Sequence, residues 1–277
     1  MDLSELIRKE GYKRGLREKT IKTYVCCVNY FFRICKIDPK SVKKSDIENF
    51  IGILRKWNKS DNTVNVYVNS LKFFYEKILH KRLTVNIAHT RVRKKLPDFL
   101  TRDEIKRLFR FINNASHRLM ISFLYATGMR VNELVSLKVK DFEFDNNYGW
   151  VRDGKGGKDR LFIVSLKLKD ELNLHIMNNG LKHNDWLFLG NNASHYSVSS
   201  IQSIIKKAAK NAGIKKNVHP HTLRHSFATH LIENGYAVTD VQPLLGHSSI
   251  TTTMIYLHMA SPQLLKVKSP FDTLDEY

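Results

Sequence analysis

Residues 219–231 read His-Pro-His-Thr-Leu-Arg-His-Ser-Phe-Ala-Thr-His-Leu, and residues 245–258 read Leu-Gly-His-Ser-Ser-Ile-Thr-Thr-Thr-Met-Ile-Tyr-Leu-His. The first stretch predicts a helix over Thr222–Asn234, closed by Gly235. The second places a short helix before Gly246, a residue that permits a tight bend. His221 stands three residues before Arg224, so on a helix or its entering turn both side chains point the same way. His247 and Tyr256 follow at fixed spacing. A basic pair, a second histidine and a tyrosine in a basic chain point to a phosphate held by cations and attacked by a phenol.

Working outward, the pattern before this region is mixed. Thr101-Arg-Asp-Glu104 is a capping box opening a helix that carries Ile105, Leu108 and Phe109 on one face, and a second helix near His117–Thr127 runs into Gly128. The period then changes: Phe142–Phe144, Tyr148–Arg152 and Arg160–Val164 read as three short strands, the last two joined by Asp153-Gly-Lys-Gly-Gly-Lys158. Helices resume at Lys167–Met177 and Ser197–Ala212. The first 85 residues read as a bundle of about four helices. Three of them are marked by Tyr24, Val28, Phe31 and Phe32, by Ile47, Phe50, Ile51 and Leu54, and by Val64, Tyr67, Val68, Leu71, Phe74 and Tyr75. Residues 86–97 are basic, aperiodic and end in a proline, as a linker does. The expected architecture is mainly α with a small antiparallel β-sheet: a helical domain over 1–85, a linker over 86–97, and a mixed α/β domain over 98–277.

The chain has 277 residues and a net charge of +20. The surplus is 14 in residues 1–97 and 6 in the remainder. Such a field favours a polyanion, most simply nucleic acid. Arg14, Arg17, Lys19 and Lys22, and in the linker Arg91, Arg93, Lys94 and Lys95, are the candidate backbone-gripping cations. Cys26, Cys27 and Cys35 match no zinc or disulfide spacing and read as reduced core thiols. The apolar run Leu119–Met129 is too short for a membrane helix, which needs roughly 18 residues, and Met1–Glu10 has no apolar leader segment. The expected location is therefore cytoplasmic, with DNA.

Breaking a DNA strand without a metal requires fixed cations around a five-coordinate phosphorus, an in-line nucleophile and an acid for the leaving oxygen. Arg130 and Arg224 suit the first task, because a guanidinium offers a planar fork to two phosphoryl oxygens. Arg130 also has a structural partner three residues along in Glu133. His221 and His247 can donate to phosphoryl oxygen or move a proton, whereas His225 reads as structural. Lys155 or Lys158, in the glycine-flanked loop, can deliver a proton to a leaving 5′ oxygen, and composition does not choose between them. Tyr256 is assigned by position, as one of eleven tyrosines.

These residues carry a resemblance. Ala126-Thr-Gly-Met-Arg-Val-Asn-Glu-Leu134, Gly154-Lys-Gly-Gly-Lys-Asp-Arg160 and the two stretches quoted first resemble the tyrosine recombinase (lambda-integrase-like) family, nearest the Xer type. Glu18-Lys-Thr-Ile-Lys-Thr-Tyr24 is similar to the family's core-binding domain. The resemblance implies a catalytic pocket of Arg130, Lys155, His221, Arg224 and His247, with Tyr256 as nucleophile, and favours Lys155 over Lys158. It implies site-specific cleavage giving a 3′-phosphotyrosine, then strand exchange through a Holliday junction without ATP, metal or other cofactor. The role would be chromosome dimer resolution or mobile-element integration and excision. Implied partners are double-stranded DNA bearing a specific site and further copies forming a tetramer on two sites, with a homologous or activator protein left open. Residues 268–274 are similar to tails of mobile-element integrases. Pro243 departs from the pattern and is expected at the first turn of its helix. The alternatives are relaxation of the type IB topoisomerase kind and a catalytically silent DNA-binding protein.

Overall fold

A computed structural model describes residues 2–83, 96–152, 154, 159–190 and 194–260. The chain divides into two compact units, 1–95 and 96–277. The architecture is the expected one, mainly helical with one small antiparallel sheet. Residues 84–95, which hold all but the last two positions of the expected linker 86–97 and with them Arg91, Arg93, Lys94 and Lys95, lie outside the described residues, as do Lys155, Lys158 and residues 261–277.

The N-terminal unit holds helices α1 (Leu3–Lys13), α2 (Glu18–Cys35), α3 (Lys44–Lys56) and α4 (Asp61–Lys72). The last runs on into a π-helical segment, Phe73–Ile78. Its core is aromatic, with Phe31 edge-on to Phe50 at 5.0 Å and Phe50 edge-on to Tyr67 at 5.6 Å. One expectation needs correcting: of the three free cysteines only Cys27 is buried, while Cys26 is exposed. The buried face of α2 carries Cys27 and Val28, and Cys26 lies about 200° round the helix from Val28, so the same phase turns it outward. Arg14, Arg17, Lys19 and Lys22 are all exposed. Lys19 and Lys22 line a groove of about 730 Å3 together with Arg8, Arg33 and Tyr67, whereas Arg14 pairs with Glu10 at 2.6 Å.

The second unit contains α5 (Arg102–Arg110), α6 (Ala115–Thr127), α7 (Val131–Val135), α8 (Leu166–Asn178), α9 (Val198–Asn211), α10 (Pro220–Glu233), α11 (Val238–Leu245) and α12 (Ile250–Met259). Strands β1 (Phe142–Glu143), β2 (Tyr148–Val151) and β3 (Arg160–Ile163) pair in sequence order, with Tyr148 opposite Ile163 and Val151 opposite Arg160. The buried face of α6, from Leu119 to Leu124, packs against α8, α9 and α10. At α5 the capping box forms: Thr101 Oγ1 accepts from the Glu104 N–H, and Glu104 accepts from the Thr101 N–H at 2.8 Å.

Two glycines set the turns that carry site residues. Gly128 ends α6 at φ +60°, where a Cβ would lie 2.2 Å from a ring carbon of Phe227. Gly246 ends α11 at φ +60°, where a Cβ would lie 2.5 Å from Arg160 Cδ. Side chains are excluded at both by backbone conformation and by space. Pro243 is not in the first turn but inside α11, in its second. The helix begins at Val238, earlier than the pattern around Pro243 implies.

Candidate active site

Helix α10 builds the centre. His219 is its N-cap and Pro220 its first residue, a position that wants no N–H and a φ near that of proline. His221 follows at the rim, and Arg224, one turn on, points inward and is only 2% exposed. Arg224 Nη1 donates to the Gly128 carbonyl at 2.8 Å and Nη2 to the Leu245 carbonyl at 2.5 Å. These are the ends of α6 and α11, where carbonyls lack helical partners and a cation is favoured. Burial, with Arg130 and Arg160 nearby, pulls the Arg224 pKa down to about 10, still high enough for full charge at neutral pH.

Arg224 Nη2 also lies 3.0 Å from His247 Nε2. A guanidinium only donates, so this nitrogen accepts; the neutral ring then carries its proton on Nδ1, which faces Thr253 Oγ1 at 3.0 Å. Burial and the charges of Arg224 and Arg130 hold His247 down to about 4, so the ring is neutral. His221 is solvent-exposed as a residue, yet ring desolvation and Arg224 also lower its pKa.

Arg130 enters from the turn after Gly128 as the N-cap of α7. Its partner is Glu133: the carboxylate accepts from Arg130 Nη1 and from the Arg130 backbone N–H, each at 2.8 Å. Glu133 accepts in addition from Arg160 Nη2 at 2.6 Å, a pair buried on both sides. Burial alone would raise the Glu133 carboxyl; Arg160 and the hydrogen bonds from Arg130 outweigh it and keep its pKa low. Arg160 Nη1 reaches the Leu244 carbonyl at 2.6 Å, so β3, α7 and α11 meet on one side chain. Among the described residues, its Nε is the one buried side-chain polar atom without a partner.

Tyr256, on α12, is 2% exposed and packs with Ala228, Val241, Leu245 and Met259. Burial raises its phenol pKa, while Arg224 and Arg130 pull the other way. Its ring lies parallel to that of His247, centroids 6.2 Å apart, and its hydroxyl is 3.1 Å from His225 Nδ1. The structure thus gathers Arg130, His221, Arg224, His247 and Tyr256 around one place. Lys155 lies outside the described residues, so the hairpin contributes only Gly154 and the Arg152–Asp159 pair at 3.0 Å.

Three residues here were not read from the sequence as site residues: Glu133, Arg160 and His225. The spacing to Arg130 signalled Glu133. Nothing local signals Arg160, which joins through tertiary packing. His225 looks structural only because Arg224 stands beside it.

The residues match a known family. Positions 98–262 match the model described as the phage integrase family, and 3–85 match the phage integrase N-terminal SAM-like domain. The chain belongs to the phage integrase family. It is a tyrosine recombinase. Similar relatives include a tyrosine recombinase of Thermosipho africanus, 35% identical over 91% of this chain and 93% of that one. Another is the tyrosine recombinase XerD of Listeria monocytogenes, 34% identical over 94% of each chain. In fold the chain is similar to the XerH site-specific recombinase solved on a palindromic difH substrate in a post-cleavage complex. The TM-score is 0.74 at 24% identity, covering 98% of this chain and 85% of that one.

One buried and two half-buried histidines give this recombinase a pH signature. His225, His230 and His247 are all held down to about 4, chiefly by burial, against an ordinary 6.5. Between those values the unfolded chain binds protons that the folded chain refuses, so stability rises with pH across the window and is lost as pH falls from 6.5 toward 4. The urea midpoint should be lower at pH 5 than at pH 7. His230→Asn, which alters a residue bonded to Tyr125 at 2.8 Å, should shrink that difference.

Proposed function

We propose that this recombinase cuts and rejoins DNA at a specific site through a covalent link to Tyr256. The convergence of Arg224, His247 and Tyr256 on one buried point supports the reading most directly. Arg130 and Arg224 grip the non-bridging oxygens of the scissile phosphate, and His221 donates to one of them. His247, its Nε2 held by Arg224, keeps that guanidinium aimed at the phosphate. Tyr256 gives up its phenolic proton to a base beside it as Oη bonds to phosphorus, the P–O5′ bond breaks, and the Lys155 ammonium protonates the departing oxygen. The products are a 3′-phosphotyrosine and a free 5′ hydroxyl. A 5′ hydroxyl from a second duplex then displaces Tyr256, exchanging strands through a Holliday junction, with four copies acting on two sites. The exposed cations Arg14, Arg17, Lys19 and Lys22, with linker residues Arg91, Arg93, Lys94 and Lys95, hold backbone phosphates.

The test begins with a duplex library of randomised central sequence, selected for binding and quenched with SDS. Protease digestion and mass spectrometry should find nucleotide on the Tyr256 peptide, at a 3′ end. Two differently labelled duplexes of the selected site should yield four-way junctions and recombinant products. Adducts on another residue would overturn the assignment, and relaxation of supercoiled DNA without exchange would favour the topoisomerase alternative.

A further inference from the structure

The hydroxyl of Tyr256 needs somewhere to send its proton. Arg224 and Arg130 cannot take one. His247 has both nitrogens engaged, by Arg224 and Thr253, and presents its ring face to the phenol. His225 is differently placed: Nδ1 lies 3.1 Å from Tyr256 Oη, with the ring centroids 5.6 Å apart. It stands four residues beyond His221, so α10 brings both imidazoles onto one face, centroids 6.5 Å apart. His221, His225 and Tyr256 form a row leading from the exposed rim to the buried phenol.

We infer that His225 is a catalytic residue, whose Nδ1 takes the phenolic proton as Tyr256 Oη bonds to phosphorus. This rests on the strand-cleavage reading above. The Oη–H bond breaks and the proton passes to Nδ1, leaving an imidazolium. The Oη–P bond forms, and the P–O5′ bond breaks with its electron pair on the leaving oxygen, which is protonated separately by Lys155. In rejoining, His225 returns the proton to the phenol.

The electrostatics tie this step to loaded DNA. Facing His225 are His219, His221 and Arg224 of α10, Tyr256 of α12 and His247 before it. Burial, His221 and Arg224 hold its pKa down to about 4, so without DNA the ring is neutral, and in the tautomer whose Nδ1 accepts from the phenol that nitrogen carries the lone pair. An imidazolium among these cations is disfavoured until a negative phosphodiester settles between Arg130 and Arg224. Substrate charge then supports the proton transfer, and an empty pocket leaves Tyr256 protonated.

His225→Asn tests this, because the Asn Oδ1 stands near the place of Nδ1 and accepts the same hydrogen bond without being a base. On a nicked duplex of the selected site, we expect unchanged DNA binding and single-turnover adduct formation about 100-fold slower at pH 7. The mutant rate should climb with pH as hydroxide replaces the imidazole, while wild type levels off. A substrate with sulfur at the bridging 5′ position, whose thiolate needs no acid, should leave the defect in place. In His225→Ala, added imidazole should restore cleavage. Wild-type or faster rates in His225→Asn would overturn the assignment, the faster case making His225 a latch on the phenol. A defect cured by the 5′ sulfur, or no imidazole rescue, would also overturn it. If wild type forms no adduct at all, the strand-cleavage reading itself fails and takes this one with it.

Discussion

Tyr256→Phe should leave no covalent DNA adduct while binding the selected duplex as tightly as wild type. The ring is buried among Ala228, Val241, Leu245 and Met259, and a phenylalanine keeps that packing. Only the hydroxyl is lost, and with it the hydrogen bond to His225. Leaving His225 Nδ1 without that partner should cost about 1 kcal/mol, a small change in urea midpoint. Activity and stability therefore separate cleanly at this position. SDS-resistant adducts measured beside fluorescence anisotropy give both arms, and adducts persisting in the mutant would remove Tyr256 as nucleophile.

Arg224→Lys should be almost as damaging, although it keeps a basic residue. Arg224 spans three acceptors at once: the Gly128 carbonyl, the Leu245 carbonyl and His247 Nε2. An ammonium is a point charge and cannot bridge two helix ends and an imidazole while offering a fork to phosphate. Burial and neighbouring arginines already lower the pKa of Arg224. A lysine starts from a lower value, so the same site pushes it toward neutrality. We expect adduct formation to fall about 10³-fold, on the scale of losing preorganised transition-state donors. The urea midpoint should fall as well, because two helix-end carbonyls lose their donor. A fall of less than tenfold would show that bidentate contact is not what Arg224 supplies.

Whether those losses arise in the pocket or in the scaffold depends on how tightly the two are joined. Glu133 accepts from Arg130 and Arg160, and Arg160 reaches on to Leu244. Arg160 also occupies the space that a Cβ at Gly246 would need, one residue before His247. A side chain in a strand therefore bears on both turns, the one that carries Arg130 and the one that carries His247.

The helical fold, the capping box at Thr101, the hairpin and the family resemblance were all legible in the sequence. Each depends on residues close in the chain: an apolar period, a cap three residues before its partner, or a motif of fixed spacing. Glu133 was in reach for the same reason, three residues from Arg130. Pro243 was misplaced because the start of α11 has no side-chain cap to mark it. Cys26 was assigned to the core from its helical context, and the phase of α2 turned it outward. The tertiary structure alone decided which imidazole nitrogen faces the Tyr256 hydroxyl, which tautomer Arg224 imposes on His247, and that Arg160 belongs with Glu133. These are contacts between residues 31, 23 and 27 positions apart. Local propensity and spacing carry no record of them, because they exist only once packed helices bring the side chains within hydrogen-bonding distance.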